Sequence, residues 1–313
     1  MKVDILLATY NGEKHIQELL ESLILQTYKN INIIIRDDCS TDKTPNIIKE
    51  FSLKHPEKFY IIDNQNKNLG PMKNFEEIAK YSKSDYIFFA DQDDVWLPEK
   101  ISVFSEKIKS IEKQNGVDFP VLVFCDMYIT DNKLNIISKS YFRHCNKKTK
   151  KKCLKDFLIQ NSLLGCVQGF NRALLNKCFP LDREVIMHDW WISLVASLLG
   201  EIHFIDKPLI YYRQHSANVI GTRGRPGLHT YLKMLPWKDK TSYTRHFNSI
   251  FEQAELLLNR FNSEISEEKK ILIKNFLSMK NQTRLKRIRI MIKNRFYRHN
   301  IHETIEYIMR YKP

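Results

Sequence analysis

The sequence predicts an α/β fold: a mostly parallel sheet with helices on both faces, followed by a helical C-terminal appendage. Three observations predict it. Short apolar runs alternate with helix-period segments over the first hundred residues, polar turn clusters close each run, and strand signals stop beyond Gly227.

Val3 to Thr9 is an apolar run that ends at the turn Tyr10-Asn11-Gly12. Glu13 to Gln26 then sets Ile16, Leu19, Leu20, Leu23 and Ile24 at helical spacing. A second strand, Ile31 to Ile35, runs into Arg36-Asp37-Asp38-Cys39-Ser40-Thr41-Asp42, with a helix from Pro45 to Leu53. Pro45 suits a first helical turn, where its missing N–H has no partner to lose. Phe59 to Ile62 is a third strand, the helix after Gly70-Pro71 reaches Tyr81, and Tyr86 to Ala90 is a fourth strand. Further strands are expected at Val121 to Cys125, Leu164 to Phe170, Ile202 to Ile205 and Leu209 to Tyr212, with helices at Pro98 to Lys113 and His188 to Leu199. This order divides the chain into an α/β domain over 1–225, with halves about 1–115 and 116–225, and a basic helical region over 226–313.

At 313 residues, with 43% hydrophobic and 12% aromatic content, the chain can build a core and enclose a cleft. Trp190 to Leu199 is the longest apolar stretch, well short of the ~20 residues a membrane span needs. Asp4 interrupts the N-terminal apolar run, which argues against a cleavable signal and for a cytoplasmic protein. The six cysteines show no paired spacing and read as reduced thiols; His144, Cys145 and Cys153 lack a fourth partner for zinc.

The net charge of +14 is concentrated. Ile271 to Pro313 holds eleven Lys/Arg against two Glu, and Tyr141 to Lys155 holds seven and no acid. The remaining body is nearly neutral. Leu285, Ile288, Ile292 and Phe296 recur at helical spacing among Arg284, Lys286, Arg287, Arg289, Lys293 and Arg295, a basic amphipathic helix that reads as an element lying on an anionic membrane surface. Packing on its own domain is the other reading. No helix-turn-helix, zinc-finger or RNP-type signature accompanies the charge, so nucleic acid is not expected as a partner.

Ligands of open parallel sheets bind beyond the carboxyl ends of the strands. There Thr9-Tyr10-Asn11, Asp37-Asp38 and Asp91-Gln92-Asp93-Asp94 converge on one crevice. Crowded carboxylates repel one another unless a cation neutralises them, and hard oxygen donors suit Mg²⁺ or Mn²⁺. Alternation places Asp91 and Asp93 on one side of an extended segment and Gln92 on the other.

Leu7-Ala8-Thr9-Tyr10-Asn11-Gly12, Ser22, Gln26-Thr27-Tyr28, Asp37-Asp38-Cys39-Ser40-Thr41-Asp42 and Asp91-Gln92-Asp93-Asp94-Val95-Trp96, in this order, resemble the family 2 glycosyltransferases of GT-A fold. With His188-Asp189-Trp190-Trp191 and Tyr212-Arg213-Gln214-His215, the wording further resembles a bacterial rhamnosyltransferase-like branch. The resemblance implies an inverting, metal-dependent transfer of a sugar from a nucleotide diphosphate donor to a saccharide or lipid-linked saccharide, at the inner face of the cell membrane. It implies dTDP-L-rhamnose as the first donor to test, with a UDP-hexose as the alternative.

The resemblance also implies roles. Thr9, Tyr10 and Asn11 would line the nucleoside pocket, Asp38 would accept from the pyrimidine N3–H, and Lys73 would lie near the donor. Asp91 and Gln92 would contact the donor; Asp91, Asp93 and the late His215 would hold the Mn²⁺ or Mg²⁺. Asp189 would be the general base, with His188 the weaker candidate. Cys39 stands where the family pattern carries glycine. The glycines and two arginines of Gly221 to Gly227 suit a loop that closes over the diphosphate. A nucleotidyltransferase would carry a Gly-rich phosphate loop after the first strand, which Thr9-Tyr10-Asn11-Gly12-Glu13 lacks. A noncatalytic nucleotide-sugar or polysaccharide-binding protein would have no need of Asp189 and His215.

Overall fold

The computed structural model describes residues 1–147, 149, 152–214, 240–298 and 304; His215 and the loop 221–227 lie outside the described residues. In chain order the elements are β1 (Val3–Thr9), α1 (Ile16–Ile24), β2 (Ile31–Asp37), α2 (Thr44–Lys54), β3 (Phe59–Ile61), α3 (Gly70–Ala79), β4 (Tyr86–Ala90), β5 (Val95–Trp96) and α4 (Lys100–Asn115). There follow β6 (Val121–Thr130), β7 (Ile136–Ser138), α5 (Tyr141–His144), α6 (Leu154–Ile159), β8 (Gln168–Asn171), α7 (Arg172–Cys178), α8 (His188–Leu199) and β9 (Glu201–Arg213). Three further helices span Lys240–Phe261, Glu267–Leu277 and Arg284–Asn294.

The chain divides into two compact units. One comprises residues 1–141, 163–181 and the described residues from 200 to 214; the other comprises 142–162, 182–199 and the described residues from 240 onward.

Among the described residues all strands belong to the first unit and form one nine-stranded sheet in the order β3-β2-β1-β4-β8-β6-β9-β5, with β7 beside β6. β1 pairs parallel with β2 and β4, and β2 with β3, as helical crossovers require. Continuous apolar runs in β1, β2 and β4 are what a strand covered on both faces needs, and Ile5, Leu7, Ile33, Ile35, Phe88 and Phe89 are fully buried. β8 runs antiparallel to both of its neighbours, so the sheet becomes mixed past β4, with β6 and β9 parallel again.

The first unit is pinned at the opposite end of β1 by the buried Asp4. Its carboxylate accepts from Ser82 Oγ, Ser84 Oγ, the Lys83 and Ser84 N–H groups and Asn32 Nδ2. Burial alone would raise its pKa, but these bonds outweigh burial and hold it below the ordinary carboxylate value. The strand signals expected on either side of Asp206-Lys207-Pro208 belong to one strand, β9. Cys125 pairs with Ile205 and Asp126 with Pro208, so a bulge takes up the two charged residues without breaking the strand.

In the second unit α8 is buried on every side, which its run of Trp190, Trp191, Ile192, Leu194, Val195 and Leu198 demands. Trp190 Nε1 donates to the Phe157 carbonyl at 2.7 Å, and the Trp191 ring lies 6.4 Å from that of Phe261. The rings of Phe251 and Phe276 join the helices Lys240–Phe261 and Glu267–Leu277, and Phe276 also meets Phe296, just past the end of the helix Arg284–Asn294. No helix among the described residues is long and apolar enough to cross a membrane.

Candidate active site

The parallel register sets the carboxyl ends of three strands side by side: Thr9 opposite Asp37, and Leu7 opposite Ala90, the residue before Asp91. Each strand then breaks into a turn held by side chains.

Asp37 closes the turn after β2. Its Oδ1 accepts from Thr9 Oγ1 at 2.8 Å and Ser40 Oγ at 2.6 Å, and its Oδ2 accepts from the Ser40 N–H. The Thr9 hydroxyl is therefore committed to the scaffold. Asn11 (φ +48°) and Cys39 (φ +66°) both take left-handed backbone, and Asn11 Oδ1 accepts from the Thr41 N–H, so the two turns brace each other.

Asp38 is buried, and its carboxylate ties the end of β2 to the start of α3. Oδ1 accepts from Arg36 Nη1 and the Leu69 N–H, and Oδ2 from the Gly70 N–H, each at 2.8 Å. A carboxylate oxygen offers two lone pairs, so one direction on Oδ2 is left for a ligand. Arg36, itself buried, also donates to Asn74 Oδ1 and to the carbonyls of Asn64 and Lys67, which shapes the loop before α3. Lys73, on α3, pairs with Glu76 at 2.6 Å and is half exposed. A cleft of about 440 Å³ beside the Asp37–Ser40 turn is floored by Ile35, Ile48, Ile61 and Ile62, within the size range of small-molecule sites.

Gln92 clamps the first turn to the third. Its Oε1 accepts from the Tyr10 N–H and its Nε2 donates to the Tyr10 carbonyl, both at 2.8 Å. Gly12 admits this amide: a Cβ there would lie 2.5 Å from Gln92 Oε1. The Tyr10 ring, 51% exposed, is left facing outward from a fixed backbone.

Asp91 and Asp93 are partly exposed, whereas Asp94 is fully buried with no hydrogen-bond partner on either oxygen. Burial raises the Asp94 pKa well above the ordinary value, and the neighbouring Asp93 and Asp91 charges raise it further; Cys166 and Lys100 act in the opposite direction. Lys100 is also fully buried. Its ammonium donates to the Cys166 carbonyl at 2.8 Å and sits 3.1 Å from the Trp96 ring centroid, and burial lowers its pKa to about 8. An orphaned carboxylate beside two further acids is a donor set that fits a divalent cation.

The turn carrying these acids is held from β9. Arg213 Nε donates to the Asp93 carbonyl at 3.0 Å, and its guanidinium also reaches the Asn132 carbonyl and the Glu18 carboxylate. Arg213, Arg36 and Lys100 are the site residues that sequence reading missed. Arg36 and Arg213 stand at the ends of apolar runs and Lys100 follows Glu99, positions that do not reveal their contacts.

In the second unit, Asp189 opens α8. It is buried, and its Oδ1 accepts from the Trp190 N–H at 2.7 Å. His188 beside it is buried too, and burial alone lowers its pKa to about 3, so the imidazole is neutral. That state leaves it a poor proton donor at neutral pH.

Known proteins are similar to this chain in sequence and in fold. A dTDP-rhamnosyl transferase, RfbG of Shigella flexneri, is 32% identical over 226 residues, covering 69% of this chain and 73% of that one. Staphylococcus aureus TarS superposes with a TM-score of 0.61 at 19% identity, over 89% of this chain and 43% of that one. The TarS 1–349 complex with UDP-GlcNAc gives 0.59 at 17% identity, over 99% and 79%. These likenesses carry the fold, GT-A, as expected. The model of glycosyl transferase family 2 matches residues 4–179, and the chain belongs to that family of glycosyltransferases.

Proposed function

We propose that this glycosyltransferase moves a sugar from a nucleotide diphosphate donor to a hydroxyl of a cell-surface saccharide or its lipid-linked precursor, with inversion at the anomeric carbon. The observation that carries the reading is the convergence of the Tyr10 turn, the Asp38 turn and the acidic turn, joined through Gln92 and Asp37. In it the Tyr10 ring and the remaining Asp38 lone pair bind the pyrimidine, Asn11 and Lys73 flank the donor, and Asp91 with Gln92 lies against its ribose and diphosphate.

dTDP-L-rhamnose is the preferred donor, because the relative at 32% identity is named a dTDP-rhamnosyl transferase. A UDP-hexose is the second reading, since uracil offers Asp38 the same N3–H that thymine does. Asp91 and Asp93, with His215, hold Mn²⁺ or Mg²⁺, which when bound neutralises the leaving diphosphate. Asp189 takes the proton of the acceptor hydroxyl as that oxygen bonds to the anomeric carbon; the bond to the diphosphate oxygen breaks, and its electron pair leaves with the nucleotide. Asp189→Asn is the test. It should abolish transfer while leaving the donor-induced thermal shift intact, and near-normal turnover would overturn the assignment of the base.

The reading includes attachment to an anionic membrane on its cytoplasmic face. In the helix Arg284–Asn294, Leu285 and Ile292 are exposed beside Arg289, Lys286 and Lys293, while Met291 turns inward. Flotation with anionic vesicles but not with neutral ones is the expected result; no retention on anionic vesicles at moderate salt would contradict it.

A further inference from the structure

Beneath the partly exposed Asp91 and Asp93 lie Asp94 and Cys166, which no donor contact uses. Ligand atoms of Asp91, Asp94 and Cys166 all lie within 4.8 Å of one another, and Asp94 and Cys166 are fully buried. One ion with bonds of about 2.1 Å to oxygen and about 2.3 Å to sulfur spans nearly that separation. Small side-chain movements would close the set.

The surroundings of Asp94 are costly for an ionised carboxylate. A buried carboxylate without hydrogen bonds loses several kcal/mol of solvation unless it is neutralised. Neither Asp94 oxygen has a hydrogen-bond partner, and the adjacent Cys166 thiol is at best a weak donor. Lys100 does not fill the gap, because its ammonium is engaged by the Cys166 carbonyl and the Trp96 ring and acts on Asp94 only through space. The same lysine fixes Cys166 in place: the bond to its carbonyl holds the short turn 165–167, which delivers the thiol to the acidic cluster.

We propose that Cys166 is a ligand of the divalent cation, completing an inner set with Asp91 and Asp94 that selects a borderline ion such as Co²⁺ or Zn²⁺ over Mg²⁺. The inference rests on the metal-dependent reading and deepens it. Carboxylates alone suit Mg²⁺ and Mn²⁺ alike, whereas a sulfur donor moves the preference toward softer ions.

The test is Co²⁺ titration of the chelator-treated full chain, followed by absorbance. The expected result is a near-ultraviolet thiolate-to-cobalt band that Cys166→Ser abolishes while circular dichroism is unchanged. The Cd²⁺-to-Mg²⁺ affinity ratio of that variant should fall by about tenfold or more. Should Cys166→Ser fail to fold, single replacements of Cys39, Cys125, Cys145, Cys153 and Cys178 by Ser assign the band by elimination, and each should retain it. Co²⁺ binding without the band in the unaltered chain, survival of the band in Cys166→Ser, or its loss in any of the other five variants would overturn the proposal, as would no Co²⁺ binding at all. Full turnover of the chelated protein, with the band still forming on Co²⁺ addition, would instead overturn metal dependence and leave the site standing.

Discussion

Arg213 Nε donates to the backbone carbonyl of Asp93 across 120 residues of sequence, so the last described strand sets the position of the acidic turn. The guanidinium is 1% exposed and also bonds Glu18 and the Asn132 carbonyl. The three donors of a lysine share one nitrogen and cannot span the separate acceptors that Nε, Nη1 and Nη2 reach. Arg213→Lys should cost about 2–4 kcal/mol in a urea melt and lower kcat/KM for the donor by roughly tenfold or more. Unchanged kinetics in a folded Arg213→Lys protein would show that the Asp93 turn holds its place without this bond.

The two bonds between Gln92 and the Tyr10 backbone predict a binding defect rather than a chemical one. Gln92→Ala should raise donor KM more than it lowers kcat, with a stability loss of about 1–2 kcal/mol. Gly12→Ala should reproduce the effect, because its new methyl would displace the same amide. The double variant should then be little worse than either single one, a coupling that a double-mutant cycle on KM measures. Additive effects would separate the two residues.

Burial of His188 predicts an acid-side loss of stability. Its folded pKa of about 3 lies below the unfolded value of about 6.5, so between them the unfolded chain binds a proton that the folded chain refuses. The contribution is fully present above about pH 6.5 and is lost below it, by roughly 1.4 kcal/mol per pH unit. Trp190 and Trp191 follow it in the chain, so their fluorescence melt should drop between about pH 7 and pH 5, and His188→Gln should flatten that dependence. An equally steep loss in the variant would assign it to other groups.

Left-handed backbone at Cys39 gives a contrast of sign. Cys39→Gly should be neutral or slightly stabilising, because glycine accepts φ +66° without penalty. Cys39→Val should cost about 1–2 kcal/mol, since a branched side chain tolerates that conformation least. Urea midpoints of the two variants measure the difference; equal midpoints would mean that the turn relaxes.

The parts of the fold set by local pattern were legible in the sequence. Runs buried on both faces mark β1, β2 and β4, and α8 ends with its apolar stretch and begins two residues before it, at His188. β5 has two residues and α7 only seven, too few for any period to register; the Asn171 side chain capping the Leu174 N–H was the one local cue for α7. Periodicity showed that the helix Arg284–Asn294 has an apolar stripe but not which part docks. Phe296 and Met291 turn inward, Leu285 and Ile292 outward, and Arg287 is buried against the carbonyls of Met279 and Gln282.

In the site, the acids and turns were readable because they are contiguous in sequence. The roles of Arg36, Lys100 and Arg213 were not, because each acts on a carbonyl or carboxylate that only folding brings near. Thr9, Asp37 and Gln92 brace the turns of the scaffold, a role that needs partners and distances to see.

Sugar transfer from a nucleotide diphosphate donor at the acidic turn is measured most directly as release of nucleotide diphosphate by the chelated protein resupplied with Mn²⁺, given dTDP-L-rhamnose or a UDP-hexose together with a saccharide-bearing lipid extract. We predict dTDP release from the rhamnose donor that requires both Mn²⁺ and the extract and is lost in Asp93→Asn. No release from any donor tested, or equal release by the unaltered and Asp93→Asn proteins, would contradict the account.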